Sequence, residues 1–158
     1  MCSVPKGFRV LQNNRCGRLG RLLGVSGVVR LVRSRQLADA EYAHAASVGG
    51  SVGLVFTAGA CPLDGQGNTV AIGNYAEQAR QAMSNLRIAL HDAGADLCDV
   101  VKSTVYVACA DRADLLTAWE AVRDAFGEHV APSTLLGVAV LGYKDQLVEV
   151  EAIAAVRS

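Results

Sequence analysis

From residue 40 onward, the spacing of apolar positions divides the chain into short extended runs and two helical ones. EYAHAASVGGSVGLVFTAG places small and β-branched side chains on both sides of Gly49-Gly50, which predicts two strands joined as a hairpin. CPLDGQGNTV, broken by Pro62, Gly65 and Gly67, reads as a loop. In NYAEQARQAMSNLRIALHDAG, Ala79, Met83, Leu86 and Leu90 recur at helical spacing. Asn74 and Glu77 fit a capping box there, and Gly94 fits the terminating position. CDVVKSTVYVAC predicts a buried strand rich in β-branched residues. ADRADLLTAWEAVRDAFG predicts a second helix, with Leu115, Trp119, Val122 and Phe126 as its apolar stripe and Gly127 at its end. The final run, APSTLLGVAVLGYKDQLVEVEAIAAV, reads as two apolar strands joined by a short polar turn.

The order ββαβαββ predicts an α+β two-layer domain, with both helices on one face of a single sheet. Along the last strand, Val148, Val150 and Ala152 point one way, and Leu147, Ile153 and Ala155 the other. One helix layer buries only one of these faces. The other is expected to meet a second copy of the chain around a symmetry axis.

Charge separates the first 38 residues from the rest. They contain Lys6 and seven arginines and no acid, whereas residues 39–158 carry all 15 acids and 7 bases, a balance of 7 − 15 = −8. The domain is therefore placed at 39–158, with 1–38 as a basic, poorly ordered or dispensable extension. A transit peptide and a basic interaction arm are the competing readings of that extension. The acidic body argues against nucleic acid as a partner, because phosphates need clustered Lys and Arg. Five cysteines with no CxxC pair argue against a disulfide framework and against a zinc site. No apolar run reaches membrane-spanning length, so the expected compartment is the cytoplasm, or the mitochondrion if the basic segment is a transit peptide.

Three segments carry a family resemblance: EYAHAASVGGSVGLVFTAGACPLDGQG, EQARQAMSNLRIALHDAGADLCDVVKSTVYV and LVEVEAIAAV. They are similar, in order and spacing, to PYSxAVxxGxxVFxSGQxPLDxxG, QTxxxLxNLxxxLxxAGxxxxDVVKxTVYV and LVEIEAIAV. Over about residues 40–157 the chain resembles the Rid (YjgF, reactive intermediate deaminase A) family, whose older label is L-PSP endoribonuclease. The resemblance implies a chorismate-mutase-like subunit and a homotrimer, with small-molecule ligands bound in clefts between subunits. It also implies hydrolysis of imines and enamines to 2-oxo acids and ammonia, with no metal or organic cofactor.

Imine hydrolysis needs a group to bind the substrate carboxylate, a group to position water, and donors for developing charge. By resemblance, Glu149 is the water-orienting residue, Tyr42 closes one side, and Gly59 is the loop glycine facing the ligand. Ala58 and Ala60 stand where a serine and a glutamine are usual. The family's carboxylate-binding arginine is absent: Ser133 occupies its position, or Thr134 if the following loop has no insertion. Leu135 or Leu136 replaces a cysteine of some members, and Trp119 replaces a frequent asparagine of the second helix. Losing such a buried charge-assisted pair costs about 2–5 kcal/mol, so an altered substrate preference is expected. The alternatives are a non-catalytic small-molecule sensor and, more weakly, an endoribonuclease.

Other readings compete for single residues. Glu149 also fits a strand-end ion pair, and Glu151 a structural pair with a neighbouring subunit. Tyr42 and Trp119 also fit simple packing. His44, His91 and His129 are expected to be solvated or capping, and Cys61 and Cys109 inert.

Overall fold

The computed structural model describes residues 8–12 and 29–157. Its elements are β1 (Phe8–Gln12), β2 (Val29–Ser34), β3 (Ala45–Val48), β4 (Val52–Phe56), α1 (Tyr75–Asp92), β5 (Val100–Ala108), α2 (Arg112–Phe126), β6 (Ser133–Val138) and β7 (Val148–Arg157). A 3-10 turn at Leu97–Asp99 leads into β5. The α+β architecture with two helices matches the expectation, but the strands form two sheets. One has the order β1-β2-β3 and the other β4-β7-β5-β6.

Both helices begin and end where the sequence places them. Asn74 accepts from the Glu77 N–H at 3.1 Å, as in a capping box. The reciprocal half is missing, because the Glu77 carboxylate pairs with Arg80 instead. Asp111 caps α2 by accepting from the Ala113 N–H at 2.8 Å. Gly94 and Gly127 follow the helices at φ 80° and 60°, a region that costs glycine little. The apolar stripe of α1 (Ala79, Met83, Leu86, Leu90) is buried, as are Trp119, Val122 and Phe126 of α2. These pack with Val105 and Val107 of β5 and with Val148, Val150, Ala152 and Ala154 of β7 in one core.

The expected hairpin across Gly49-Gly50 does not form. β3 pairs with β2, and β4 pairs with β7 from Val52↔Arg157 to Phe56↔Ile153. The Gly-Gly-Ser turn, with Gly50 at φ 83°, hands the chain from one sheet to the other. β3 has mostly exposed positions and small side chains, so it gains little from pairing with β4. The better alternative is β2, whose Val29 and Leu31 are buried against Ala43 and Ala155, with Ala46, Val101 and Val130 beside them. This smaller cluster covers one end of the sheet face away from the helices. A bulge in β5 between Val100 and Lys102 feeds it by turning Val101 out of the main core. β2 lies inside the segment that charge set apart as an extension.

The rest of that face is open. Phe56 is 69% exposed and Leu54 52%, and Leu136 of β6 is also exposed. Polar groups run between them: Lys102, Thr104 and Tyr106 from β5, Glu149 and Glu151 from β7, and Thr134 from β6.

Candidate active site

β7 presents Glu149 and Glu151 on its open face because the residues between and beside them, Val148, Val150 and Ala152, face the helices. The chain leaving β4 then runs back along β7. Phe56 is opposite Ile153, yet Ala60 is opposite Val150, so one extra residue is accommodated between them. Two bonds hold the ends of this bulge: Thr57 N–H to Ala152 O at 3.0 Å, and Ala60 N–H to Val150 O at 2.8 Å. The bulge sets Gly59 directly beneath the Glu149 side chain. A Cβ on Gly59 would lie 1.8 Å from Glu149 Oε1 and 2.7 Å from its Cγ. Gly59 is there because no side chain fits. Its φ is not in the left-handed region, so the requirement comes from the close approach and not from backbone conformation.

Two more groups fix the carboxylate. Gln146, buried just before β7, donates from Nε2 to Glu149 Oε2 at 3.0 Å. Cys61 donates its S–H to the same oxygen at 3.6 Å. Burial, followed by the Glu149 charge, pushes the Cys61 thiol up to about 11. Cys61 is therefore a protonated donor at neutral pH and a poor nucleophile. The motifs name neither Gln146 nor Cys61 as a partner for Glu149. Gln146 lies three residues before Glu149, in the turn that enters β7, whereas Cys61 is 88 residues away and is brought there by register.

Glu151 has different surroundings. It accepts from the Tyr106 hydroxyl at 2.9 Å, which raises the pKa of that phenol. It also lines an open cleft of about 220 Å³ with Phe56, Thr57, Lys102, Thr104, Ala152 and Ile153. Lys102 hydrogen-bonds Thr134 Oγ1. Its pKa is lowered by burial and partly restored by Glu151.

The remaining candidates lie elsewhere. Ser133 shares a hydrogen bond of 2.6 Å with Ser103 and lines a narrow cleft with Tyr42, Trp119, Arg123 and His129. The Tyr42 and Trp119 rings meet edge to face at 6.2 Å. Leu135 packs against the helix-side core. Ser133 and Thr134 thus point to opposite faces. Ser133 joins Tyr42 and Trp119, while Thr134 joins Lys102 on the open face. Glu149 is two strands from Ser133 and registered with Tyr106 instead of Ser103. Within one chain the candidates form two groups: Glu149 with Gly59, and Tyr42 with Trp119 and Ser133.

His129 is neither solvated nor capping. It is 4% exposed and donates from Nε2 to Val100 O at 2.7 Å. Burial lowers its pKa. Among the described residues no group of three His, Cys, Asp or Glu side chains is placed to hold a metal ion. Nor is any helix long and apolar enough to cross a membrane.

The family model described as Endoribonuclease L-PSP matches residues 33–156. The chain belongs to this family. The chain is similar to a RutC family protein of Pyrococcus abyssi, 36% identical over 113 residues, covering 72% of this chain and 84% of that one. A 2-iminobutanoate/2-iminopropanoate deaminase of Rattus norvegicus is 32% identical over 133 residues, covering 82% and 93%. Among solved structures, the Rid-family protein YyfB of Yersinia pestis superposes with TM-score 0.74 at 25% identity, over 82% of this chain and 99% of that one. The Escherichia coli YjgF product gives 0.58 at 32% identity, over 73% and 88%. The Rid fold expected from the three motifs is thus the fold observed.

Proposed function

We propose that this Rid-family chain hydrolyses the C=N bond of small imine metabolites, enamines being taken as their imine tautomers, with a substrate preference altered by the missing strand arginine. The observation that carries this reading is Glu149 held over Gly59 by Gln146 and Cys61, a carboxylate fixed in one place on an accessible face. A base held this way positions a water and takes its proton as the oxygen adds to the imine carbon. The proton passes to nitrogen, the C–N bond breaks, and ammonia leaves as the carbonyl forms. Relatives named 2-iminobutanoate/2-iminopropanoate deaminase at 32–36% identity support the substrate class.

The working site is proposed to lie between copies in a homotrimer. Glu149 and the Tyr42–Trp119–Ser133 cleft sit apart within one chain, so a second copy is needed to face one with the other. The exposed Leu54, Phe56 and Leu136 supply apolar area for such contact. Release of ammonia from imines generated in situ from a panel of amino acids tests the reading. The intact protein is expected to outpace buffer on at least one member, and Glu149→Ala to bring it back to the buffer rate. Equality with buffer throughout, at the mass of a trimer in sedimentation, removes the enzymatic reading.

A further inference from the structure

In the cleft beside Ser133, two donors of different kinds converge on one carboxylate. The Trp119 indole donates to Glu41 Oε2 at 3.0 Å, and Arg123 Nη1 donates to Glu41 Oε1 at 2.9 Å. Each oxygen has its own donor, the arrangement by which proteins grip a ligand carboxylate. Trp119 and Arg123 are four residues apart on α2, so one helix face holds both donors in fixed relation. Asp124 takes the other side of the guanidinium, from Nη2 at 3.0 Å and Nε at 3.2 Å, and so leaves Nη1 directed at Glu41.

The Glu41 backbone is held by Arg33, which donates from Nη2 to its carbonyl at 3.1 Å, but its side chain is not enclosed. Glu41 comes from the irregular segment before β3, and its side chain is 56% exposed against 36% for Arg123. Exposed ion pairs of this kind hold weakly and exchange readily with competing ions. Tyr42 and Ser133 line the same cleft. His129 forms part of the same wall, and among the described residues its buried Nδ1 has no partner. With Nε2–H given to Val100, Nδ1 is an acceptor. Trp119 and Arg123 offer one donor to each oxygen of a carboxylate.

We propose that Trp119 and Arg123 form a clamp for the carboxylate of a small 2-imino or 2-oxo acid, and that Glu41 is its built-in competitor, filling the clamp until a ligand displaces it. The guanidinium missing at Ser133 and Thr134 is then supplied from α2. The substrate class rests on the deaminase reading above. The clamp itself is argued only from the convergence on Glu41.

Binding of 2-oxobutanoate to the full chain by titration calorimetry tests the clamp without turnover. If Glu41 fills it nine-tenths of the time, Glu41→Ala is expected to bind about tenfold more tightly than wild type. Glu41→Gln, which keeps a partner for the indole but loses the charge facing Arg123, is expected to bind more tightly than wild type by a smaller factor. It serves as the readout if Glu41→Ala loosens the segment. Adding Arg123→Ala to Glu41→Ala is expected to abolish the gain, and the neutral 2-oxobutanamide is expected to show none. Equal affinity in wild type and both Glu41 variants, or a gain that survives Arg123→Ala, overturns the clamp. A protein that binds this way without releasing ammonia loses the deaminase reading and keeps the clamp. One that releases ammonia with an affinity indifferent to Glu41 does the reverse.

Discussion

Adding one methyl group to Gly59 isolates the close approach on which the Glu149 site depends. In Gly59→Ala the new Cβ would lie 1.8 Å from Glu149 Oε1 and 2.5 Å from its Cδ, so the carboxylate must swing away. The backbone does not resist, since Gly59 is outside the left-handed region. The loss is the bond from Gln146 Nε2 at 3.0 Å and the weaker one from Cys61 Sγ at 3.6 Å. A hydrogen bond to a charged group contributes about 1.5–3 kcal/mol when buried. Glu149 is only half-buried and can find water, so the expected stability cost is about 1 kcal/mol. For a chain of this size that is a fall in Tm of about 2–4 °C. The cost to catalysis is larger, because misplacing a catalytic group by about 1 Å can lower the rate about 100-fold. Chemical denaturation of Gly59→Ala, Glu149→Ala and the double variant checks the structural part independently of activity. With Glu149→Ala the three atoms nearest the methyl are gone, so Gly59→Ala is expected to cost much less than it does in the wild type. If it destabilises the Glu149→Ala protein as much as the wild type, the close approach is not the reason for the glycine.

Two further outcomes follow from burial. His129 has a pKa lowered below its ordinary 6.5 by burial. As pH falls through 6.5 the unfolded chain takes up a proton that the folded chain refuses, so stability declines until the folded-state pKa is reached, then levels off. His129→Gln is expected to flatten the slope of unfolding free energy against pH over that window, and an unchanged slope would contradict the buried neutral imidazole. Leu31, 2% exposed in β2, is expected to cost about 2–4 kcal/mol when changed to alanine. Urea denaturation that finds no loss would make β2 as dispensable as its charge composition suggested.

Helix boundaries and apolar stripes were legible in the chain because they are local. The Asn74 and Asp111 caps, the 3.6-residue spacing and the terminal glycines all act within a turn or two. The three motifs likewise revealed the family and singled out Glu149 and Gly59. The hairpin expectation failed because Gly49-Gly50 signals a turn without saying which strands flank it. That was settled by the burial of Val29 and Leu31 on Ala155 and by the long register of β4 with β7. His129 shows the same limit: a polar side chain was expected in water, and packing placed it under α2 with the Val100 carbonyl as partner.

The amino-acid sequence by itself determined the α+β class, both helices and the alternation that puts Glu149 and Glu151 on the face opposite the core, since each depends on side-chain periodicity or a nearby cap. Only the tertiary structure decided what those carboxylates touch. Cys61 reaches Glu149 across 88 residues and Tyr106 reaches Glu151 across 45, because strand register and a one-residue bulge set these contacts between segments far apart in the chain; Gln146 reaches Glu149 from the turn that enters β7. The pairing of Glu41 with Trp119 and Arg123, separated by 78 and 82 residues, belongs to the same class. No local pattern encodes it, and it exists only once α2 has docked beside the segment that leads into β3.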